Sequence, residues 1–151
     1  MTLEEITEFV TSLEGVLVQR PTEGDGSPQI AWGDVFFHYS PDGEAPRTQP
    51  FATIVTKDYP DEVPSGLNQP GAFRVNVGSG KDEFVARIGR EPRAPAGDLE
   101  PLSATDDVVF AHPTYGTLGW LAVKNPGPAT EGDLRELITK AHSLARARFE
   151  R

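Results

Sequence analysis

The last third of the chain constrains the fold more than any other part. Residues 119–128 read Gly-Trp-Leu-Ala-Val-Lys-Asn-Pro-Gly-Pro, so a short apolar run stops at a Pro-Gly-Pro turn. A segment with helical apolar spacing follows, with Thr130 as its cap and acidic residues in its first turn. We therefore predict a last strand over Trp120–Asn125 and a terminal helix. His142 is predicted to lie on the exposed side of that helix. The buried stripe is predicted to be Leu134, Leu137, Ile138, Ala141, Leu144 and Ala145.

The rest of the chain alternates short apolar runs with turns rich in glycine and proline. A capping box at Thr2 and Glu5 opens a first helix. Lys81–Ile88 is predicted to be an inserted helix, and Val108–Phe110 fits either a strand or a buried turn of helix. Strands are predicted over Val16–Val18, Ile30–Tyr39, Phe51–Lys57 and Ala72–Val77. This order predicts one α+β domain over residues 1–151, a single-layer antiparallel sheet of about five strands with N-terminal, inserted and C-terminal helices.

The chain carries an excess of acidic residues. Its 23 Asp and Glu against 14 Lys and Arg give a net charge of −9. Because a phosphate backbone repels such a protein unless a basic face is segregated, we do not expect nucleic acid as a partner. Arg146, Arg148 and Arg151 cluster near the end of the last helix, where cations complement the helix dipole. An exposed edge strand in so small a sheet would allow a homodimer.

The N-terminal residues do not resemble a secretory signal. Glu4, Glu5 and Glu8 lie where such a signal has cations and an apolar run. No apolar stretch approaches the roughly 20 residues that span a bilayer. We therefore expect a soluble, cytoplasmic protein without a membrane partner. The absence of cysteine excludes disulfides, thiolate metal ligands and a cysteine nucleophile.

Complete catalytic and cofactor-binding motifs are missing from the sequence. Gly78–Lys81 lies between a predicted strand and a predicted helix, as a phosphate-binding loop does. The P-loop pattern, however, needs glycine and serine or threonine where Val75 and Asp82 stand. His38 and His112 belong to no metal-binding spacing. We therefore predict no metal and no cofactor.

The candidate site residues are polar and aromatic side chains at the ends and on one face of the predicted strands. His112 precedes Pro113, which keeps its backbone extended, and Tyr115 and Trp120 follow closely. If helices cover one side of the sheet only, the remaining groups would form a concave polar surface for a small anionic or peptide-like ligand. The alternative is a second face that is simply solvated. The candidates are Trp32, Asp34, Lys57, Asp58, Tyr59, Arg74, Asn76, His112, Tyr115 and Trp120.

Several stretches resemble a known family. Thr56–Pro60 (Thr-Lys-Asp-Tyr-Pro) and Asn125–Pro128 (Asn-Pro-Gly-Pro) are the most specific, and Ala31–Asp34, Phe73–Gly78 and His112–Tyr115 accompany them. With these stretches the chain resembles, nearly end to end, a bacterial family called domain of unknown function 6194. The resemblance implies a small soluble protein and does not imply a particular activity.

The C-terminal half is more distantly similar to the MmcQ/YjbR-like proteins. In those proteins a strand, a helix, a Pro-Tyr segment, a strand beginning near a tryptophan and a terminal helix follow one another. The similarity implies a compact α+β fold with an antiparallel sheet, for which a DNA-binding role has been suggested. In this chain Gly116–Leu118 stands where those proteins carry a basic step.

Three functions follow from these features as hypotheses. The first is a non-catalytic binding module that holds a small molecule or a partner protein with its exposed sheet face and the Asp58–Gly71 loop. The second is an enzyme that acts through His112, with Tyr115, Arg74 or Asp34 beside it, and it requires a strongly shifted His112 pKa in a closed pocket. The third is a YjbR-like nucleic-acid-binding protein that uses the terminal arginines.

Overall fold

All strands of the protein join one antiparallel sheet. The computed structural model describes residues 1–151. The strands are β1 (Val16–Gln19), β2 (Val35–Tyr39), β3 (Ala52–Val55), β4 (Arg74–Val77), β5 (Val109–Ala111) and β6 (Leu121–Lys124). The helices are α1 (Leu3–Thr11), α2 (Lys81–Ile88) and α3 (Glu131–Phe149). The strand order is β1-β2-β3-β4-β6-β5, so β1 and β5 are the edges. The predicted α+β class is confirmed, with six strands rather than about five, because the apolar run near residue 109 pairs with β6.

The helices cover one face of the sheet. Alternate strand residues such as Phe37, Ile54 and Val75 point into one apolar core with Ile6 of α1 and Phe84 of α2. The stripe of α3 packs into the same core, where Leu134, Leu137, Ile138 and Ala141 are buried as predicted. Burial of each of the larger side chains among these is worth about 1.5–3 kcal/mol relative to exposure, so this face contributes a large part of the stability of the fold.

Loops cover the centre of the opposite face. A row of paired residues crosses it from Phe36 through Thr53 and Asn76 to Ala122. All four residues of β4 are buried, including Arg74, so a simply solvated second face is wrong for the centre of the sheet. The covering segments are a 3-10 turn at residues 29–31, the loop of residues 58–71, and the connection from β5 to β6 with a 3-10 turn at residues 115–118.

The predicted second strand begins too early. Gln29–Ala31 forms a 3-10 turn after Pro28, and Gly33 follows with φ of 87°, a left-handed conformation that interrupts an extended chain. β2 therefore begins at Val35, and Trp32 lies before the strand rather than on it. The predicted strands at β3, β4 and β6 are one or two residues longer at an end than the observed ones, whereas β1 extends one residue further, to Gln19.

Two predictions for the last helix are wrong. The side chain of Thr130 does not cap α3; its hydroxyl donates to Asp107 at 2.6 Å, and Asp107 also accepts from the backbone N–H groups of Gly127, Ala129 and Thr130. His142 is buried rather than exposed, because its Nε2 lies 2.6 Å from the carbonyl oxygen of Glu14. A contact distant in sequence thus decides the environment of His142.

Candidate functional site

A cavity of about 660 Å³ opens on the loop-covered face of the sheet. β2, β3 and β4 form its floor through Phe36, Thr53, Arg74 and Asn76, which share that face by the alternation of strand residues. Loops form its walls. Volumes of about 300–1,000 Å³ are usual for small-molecule sites, so the cavity is large enough for a metabolite. We refer to it below as the central pocket.

A second cavity, of about 710 Å³, lies beside the start of α1 and the end of the 58–71 loop. Its lining includes Leu3, Asn68 and Phe73 and contains no ionisable side chain. A site with chemistry needs groups that can orient or polarise a ligand. We therefore take the smaller central pocket as the candidate site.

Six of the ten predicted site residues line the central pocket. They are Tyr59, Arg74, Asn76, His112, Tyr115 and Trp120. The other four do not line it and instead form hydrogen bonds elsewhere in the protein; they are Trp32, Asp34, Lys57 and Asp58. The sequence prediction missed two acidic lining residues, Asp61 and Glu62, and Glu62 contacts Arg74.

Arg74 lies on the floor of the pocket with its guanidinium group in a fixed orientation. Its Nε donates to Oδ1 of Asn76 at 2.7 Å and its Nη1 donates to Oγ of Ser65 at 3.0 Å. The remaining terminal nitrogen, Nη2, donates to Glu62 at 3.1 and 3.4 Å from the two carboxylate oxygens. The residue is 2% exposed, so a charged group is held inside the protein with one charged partner.

His112 adopts a defined tautomer because of its own backbone. Its Nδ1 lies 3.0 Å from the backbone nitrogen of Thr114 and 2.9 Å from that of Tyr115, and both N–H groups donate to it. An Nδ1 that accepts hydrogen bonds carries no proton, so in the neutral ring the proton lies on Nε2. Burial of the ring, together with the nearby charge of Arg74, lowers the pKa of His112 from 6.5 to about 3. At neutral pH the side chain is therefore an uncharged hydrogen-bond donor.

Two donors meet at the base of the central pocket. Nη2 of Arg74 and Nε2 of His112 are 3.3 Å apart, within hydrogen-bonding range, yet the tautomer of His112 leaves both as donors. Two donors cannot satisfy each other, and Nε2 has no acceptor in the protein. The pair therefore favours an oxygen acceptor placed between the two nitrogens.

Aromatic side chains form the wall next to this donor pair. The ring of Tyr115 lies 5.0 Å from that of His112, and the ring of Trp120 lies 6.5 Å away in an edge-to-face arrangement. Trp120 rests on Gly78, where a Cβ atom would come within 2.9 Å of the indole. At the mouth, Ile30, Tyr115 and Leu118 remain exposed. The pocket thus combines a polar base with apolar walls.

Asp34 and Lys57 form a separate cluster at the start of β2. The Asp34 carboxylate accepts from the backbone N–H and the hydroxyl of Thr56, from Nζ of Lys57 at 3.2 Å and from Oη of Tyr59 at 2.6 Å. Nζ of Lys57 also donates to the carbonyl oxygen of Trp32 at 2.7 Å. Because the carboxylate is buried and fully satisfied, it supports the pocket from outside rather than contacting its contents.

Asp58 organises the loop over the pocket. Its two carboxylate oxygens accept from the backbone N–H groups of Ser65 at 2.8 Å and Leu67 at 3.0 Å. These bonds fix the end of the loop that carries Ser65 next to Arg74. Asp58 is thus a structural residue of the loop.

Together, the fold and the pocket define a small α+β protein with a helix-covered sheet face and a ligand-sized cavity on the other face. A model of a family of unknown function, DUF6194, matches residues 1–151. The chain therefore belongs to the DUF6194 family. Comparisons with curated proteins and with solved structures found no match. None of the helices has both the length and the apolar character that a membrane crossing requires.

Proposed function

We propose that this protein is a binding module whose central pocket holds a small molecule. The donor pair of Arg74 and His112 carries the proposal, because both groups are buried and aim at one point beside an aromatic wall. Recognition sites typically place a few converging polar groups in a mostly apolar cavity. The depth of the pocket favours a small molecule over the flat contact of a partner protein.

The structure changes the role that the enzyme hypothesis can give to His112. His112 is buried and its pKa is strongly shifted, as that hypothesis requires, but the shift keeps the ring neutral. The lone pair of Nδ1 accepts two backbone N–H groups and Nε2 carries the proton, so His112 has no free lone pair with which to remove a proton. Asp34 bonds to Tyr59 instead of His112. If the pocket performs a reaction, His112 would serve as a donor to an oxyanion and not as a general base.

The nucleic-acid hypothesis has little support in the charge distribution. Nε of Arg146 donates to Glu150 at 2.9 Å, and Arg148 donates to the carbonyl oxygen of Leu144. The charge of Arg146 is thus paired with a carboxylate, and the net charge of −9 opposes binding to a phosphate backbone. The similarity to MmcQ/YjbR-like proteins and a homodimer through the β1 or β5 edge stay predictions.

A thermal-shift screen against pooled metabolites tests the binding proposal. A ligand at about 100 times its dissociation constant stabilises the native state by about 2.7 kcal/mol, which raises the midpoint by several degrees. Hits should lose their effect in Tyr115→Ala, which removes a half-exposed wall residue. Leu99→Ala is the matched control, because Leu99 is fully exposed and lies outside the pocket. A screen without hits, or hits insensitive to Tyr115→Ala, would contradict the proposal.

A further inference from the structure

Glu62 turns inward on an otherwise exposed stretch of loop. Residues 60, 61, 63 and 64 are exposed, and Val63 exposes 63% of its surface. The Glu62 side chain is 13% exposed, because its carboxylate lies against Nη2 of Arg74. In a chain with 23 acidic residues, most of which lie in water, this inward orientation indicates a specific attraction to the guanidinium group.

The other partners of Arg74 carry no charge. Asn76 and Ser65 hold Nε and Nη1 through an amide oxygen and a hydroxyl, so they orient the guanidinium without neutralising it. Glu62 is its single ion-pair partner. Because an isolated buried charge is strongly unfavourable, any group that replaces Glu62 at Arg74 has to bring a negative charge.

Glu62 satisfies one of the two donors at the base of the pocket. Its carboxylate accepts from Nη2 of Arg74, whereas Nε2 of His112 receives no acceptor from it. A carboxylate has two oxygens with about four acceptor positions. A ligand carboxylate placed between the two nitrogens could therefore accept from both donors, which is one bond more than Glu62 achieves.

The loop can release Glu62 without losing its anchors. Tyr59, before the exposed stretch, is tied to Asp34 at 2.6 Å, and Ser65, after it, is tied to Asp58 at 2.8 Å. Between these points the loop makes few bonds to the rest of the protein; Ser103 donates to the carbonyl oxygen of Pro64 at 3.3 Å. Local reorientation of such a weakly held segment costs little compared with unfolding of the loop.

We infer that the central pocket binds a carboxylate attached to a flat apolar body, and that this carboxylate exchanges with Glu62. The ligand carboxylate bridges Nη2 of Arg74 and Nε2 of His112, and its body packs against Tyr115 and Trp120. Glu62 makes the corresponding contact from within the protein and acts as an internal competitor. This inference rests on the proposed binding function and adds to it the chemical class of the ligand.

The test compares three probes that differ mainly in charge: phenylacetate, 2-phenylacetamide and 2-phenylethylamine. Each is titrated into the wild-type protein at neutral pH, and binding is followed by two-dimensional proton–nitrogen NMR, including the indole N–H of Trp120. We expect phenylacetate to bind at least about tenfold more tightly than the amide, because hydrogen bonds to charged groups are the stronger ones. This comparison needs no variant and so does not depend on the folding of one.

Two variants with the same change in net charge distinguish the loss of the Glu62 carboxylate from the effect of net charge on ligand affinity. Glu62→Gln removes the carboxylate that contacts Arg74, and Glu23→Gln makes the same chemical change at an exposed residue that lies outside the pocket and makes no ion pair. We expect Glu62→Gln to strengthen phenylacetate binding by about tenfold and to leave the amide unchanged. We expect Glu23→Gln to change either affinity by less than about twofold, because exposed charges away from the site are screened.

Each outcome decides a different claim. Equal or tighter binding of the amide or the amine in the pocket would overturn the inference and leave the proposed binding function intact. Weaker phenylacetate binding in a folded Glu62→Gln protein would show that Glu62 assists rather than competes, which also overturns the inference alone. Failure of all three probes together with a metabolite screen without hits would overturn the binding function itself.

Discussion

The hydroxyl of Tyr59 donates to the buried carboxylate of Asp34 at 2.6 Å and so joins the start of the pocket loop to the start of β2. Burial, together with this bond and the charge of Asp34, raises the pKa of Tyr59 well above its usual range. The phenol therefore stays protonated and remains a donor at all physiological pH values. The position of the loop over the central pocket depends on this contact.

Removal of that hydroxyl should destabilise the protein. We expect Tyr59→Phe to lower the free energy of unfolding by about 1.5–3 kcal/mol, the usual value of a hydrogen bond to a charged group. Urea denaturation measures the difference. Tyr115→Phe is the matched control, since its hydroxyl makes no hydrogen bond and its side chain is half exposed, and it should stay within about 0.5 kcal/mol of wild type. Equal stability of the two variants would contradict a structural role for the Tyr59–Asp34 bond.

Sequence alone goes far for the sheet and less far for the site. The alternation of Phe73, Val75 and Val77 with Arg74 and Asn76 predicts which strand residues share a face, because successive side chains point to opposite sides. That period correctly placed Arg74 and Asn76 on the face away from the helices. His112, Tyr115 and Trp120 are close in the chain, and all three line the pocket on that face.

The remaining parts of the site depend on contacts between distant segments. Asp34 lies just before β2 and Lys57 just after β3, but the Tyr59 hydroxyl and the backbone of Thr56 hold Asp34 outside the pocket. Glu62 is one of 23 acidic residues, and its inward orientation requires the buried charge of Arg74. Composition carries no signal that separates such a residue from those in water.

A second prediction concerns the pH dependence of stability. The folded pKa of His112 is depressed to about 3 from 6.5, so the unfolded chain binds a proton that the folded one does not between these values. The stabilisation of the folded state by the neutral His112 ring is fully present above pH 6.5. It is lost as the pH falls toward 3, by up to about 1.4 kcal/mol per pH unit. We expect the unfolding free energy to decline measurably between pH 6.5 and 5, before most carboxylates titrate.

Comparison with His112→Asn isolates that contribution. Asparagine offers an uncharged side chain at the same place, so the variant should lose stability overall but show a smaller decline between pH 6.5 and 5. Urea denaturation at several pH values gives both slopes. Identical slopes for the variant and the wild type would contradict the depressed pKa of His112 in the folded protein.

Asp107 stabilises the start of α3 from outside the helix. It adopts φ of 54°, and although its burial opposes ionisation, the bonds from the Thr130 hydroxyl and from backbone N–H groups lower its pKa. We expect Asp107→Ala to lower the free energy of unfolding by about 1–2 kcal/mol. The variant loses the cap of the helix and also places alanine in a left-handed conformation. Asp107→Asn should cost less, since asparagine tolerates this conformation and keeps one acceptor. Thermal or urea denaturation measures the order, and an equal cost for both would contradict the role of the conformation.

The contact between Gly78 and Trp120 provides a test of the aromatic wall. A Cβ atom at residue 78 would lie 2.9 Å from the indole, so Gly78→Ala should displace Trp120 and lower the unfolding free energy by about 1–3 kcal/mol. Gly132→Ala is the matched control, because residue 132 lies in α3 with open space around it and alanine favours the helix by about 0.5–1 kcal/mol. The two glycine substitutions should therefore change stability with opposite signs in urea denaturation. Since the pocket wall moves in Gly78→Ala, any ligand found for the pocket should also bind that variant more weakly, whereas binding to Gly132→Ala should match the wild type.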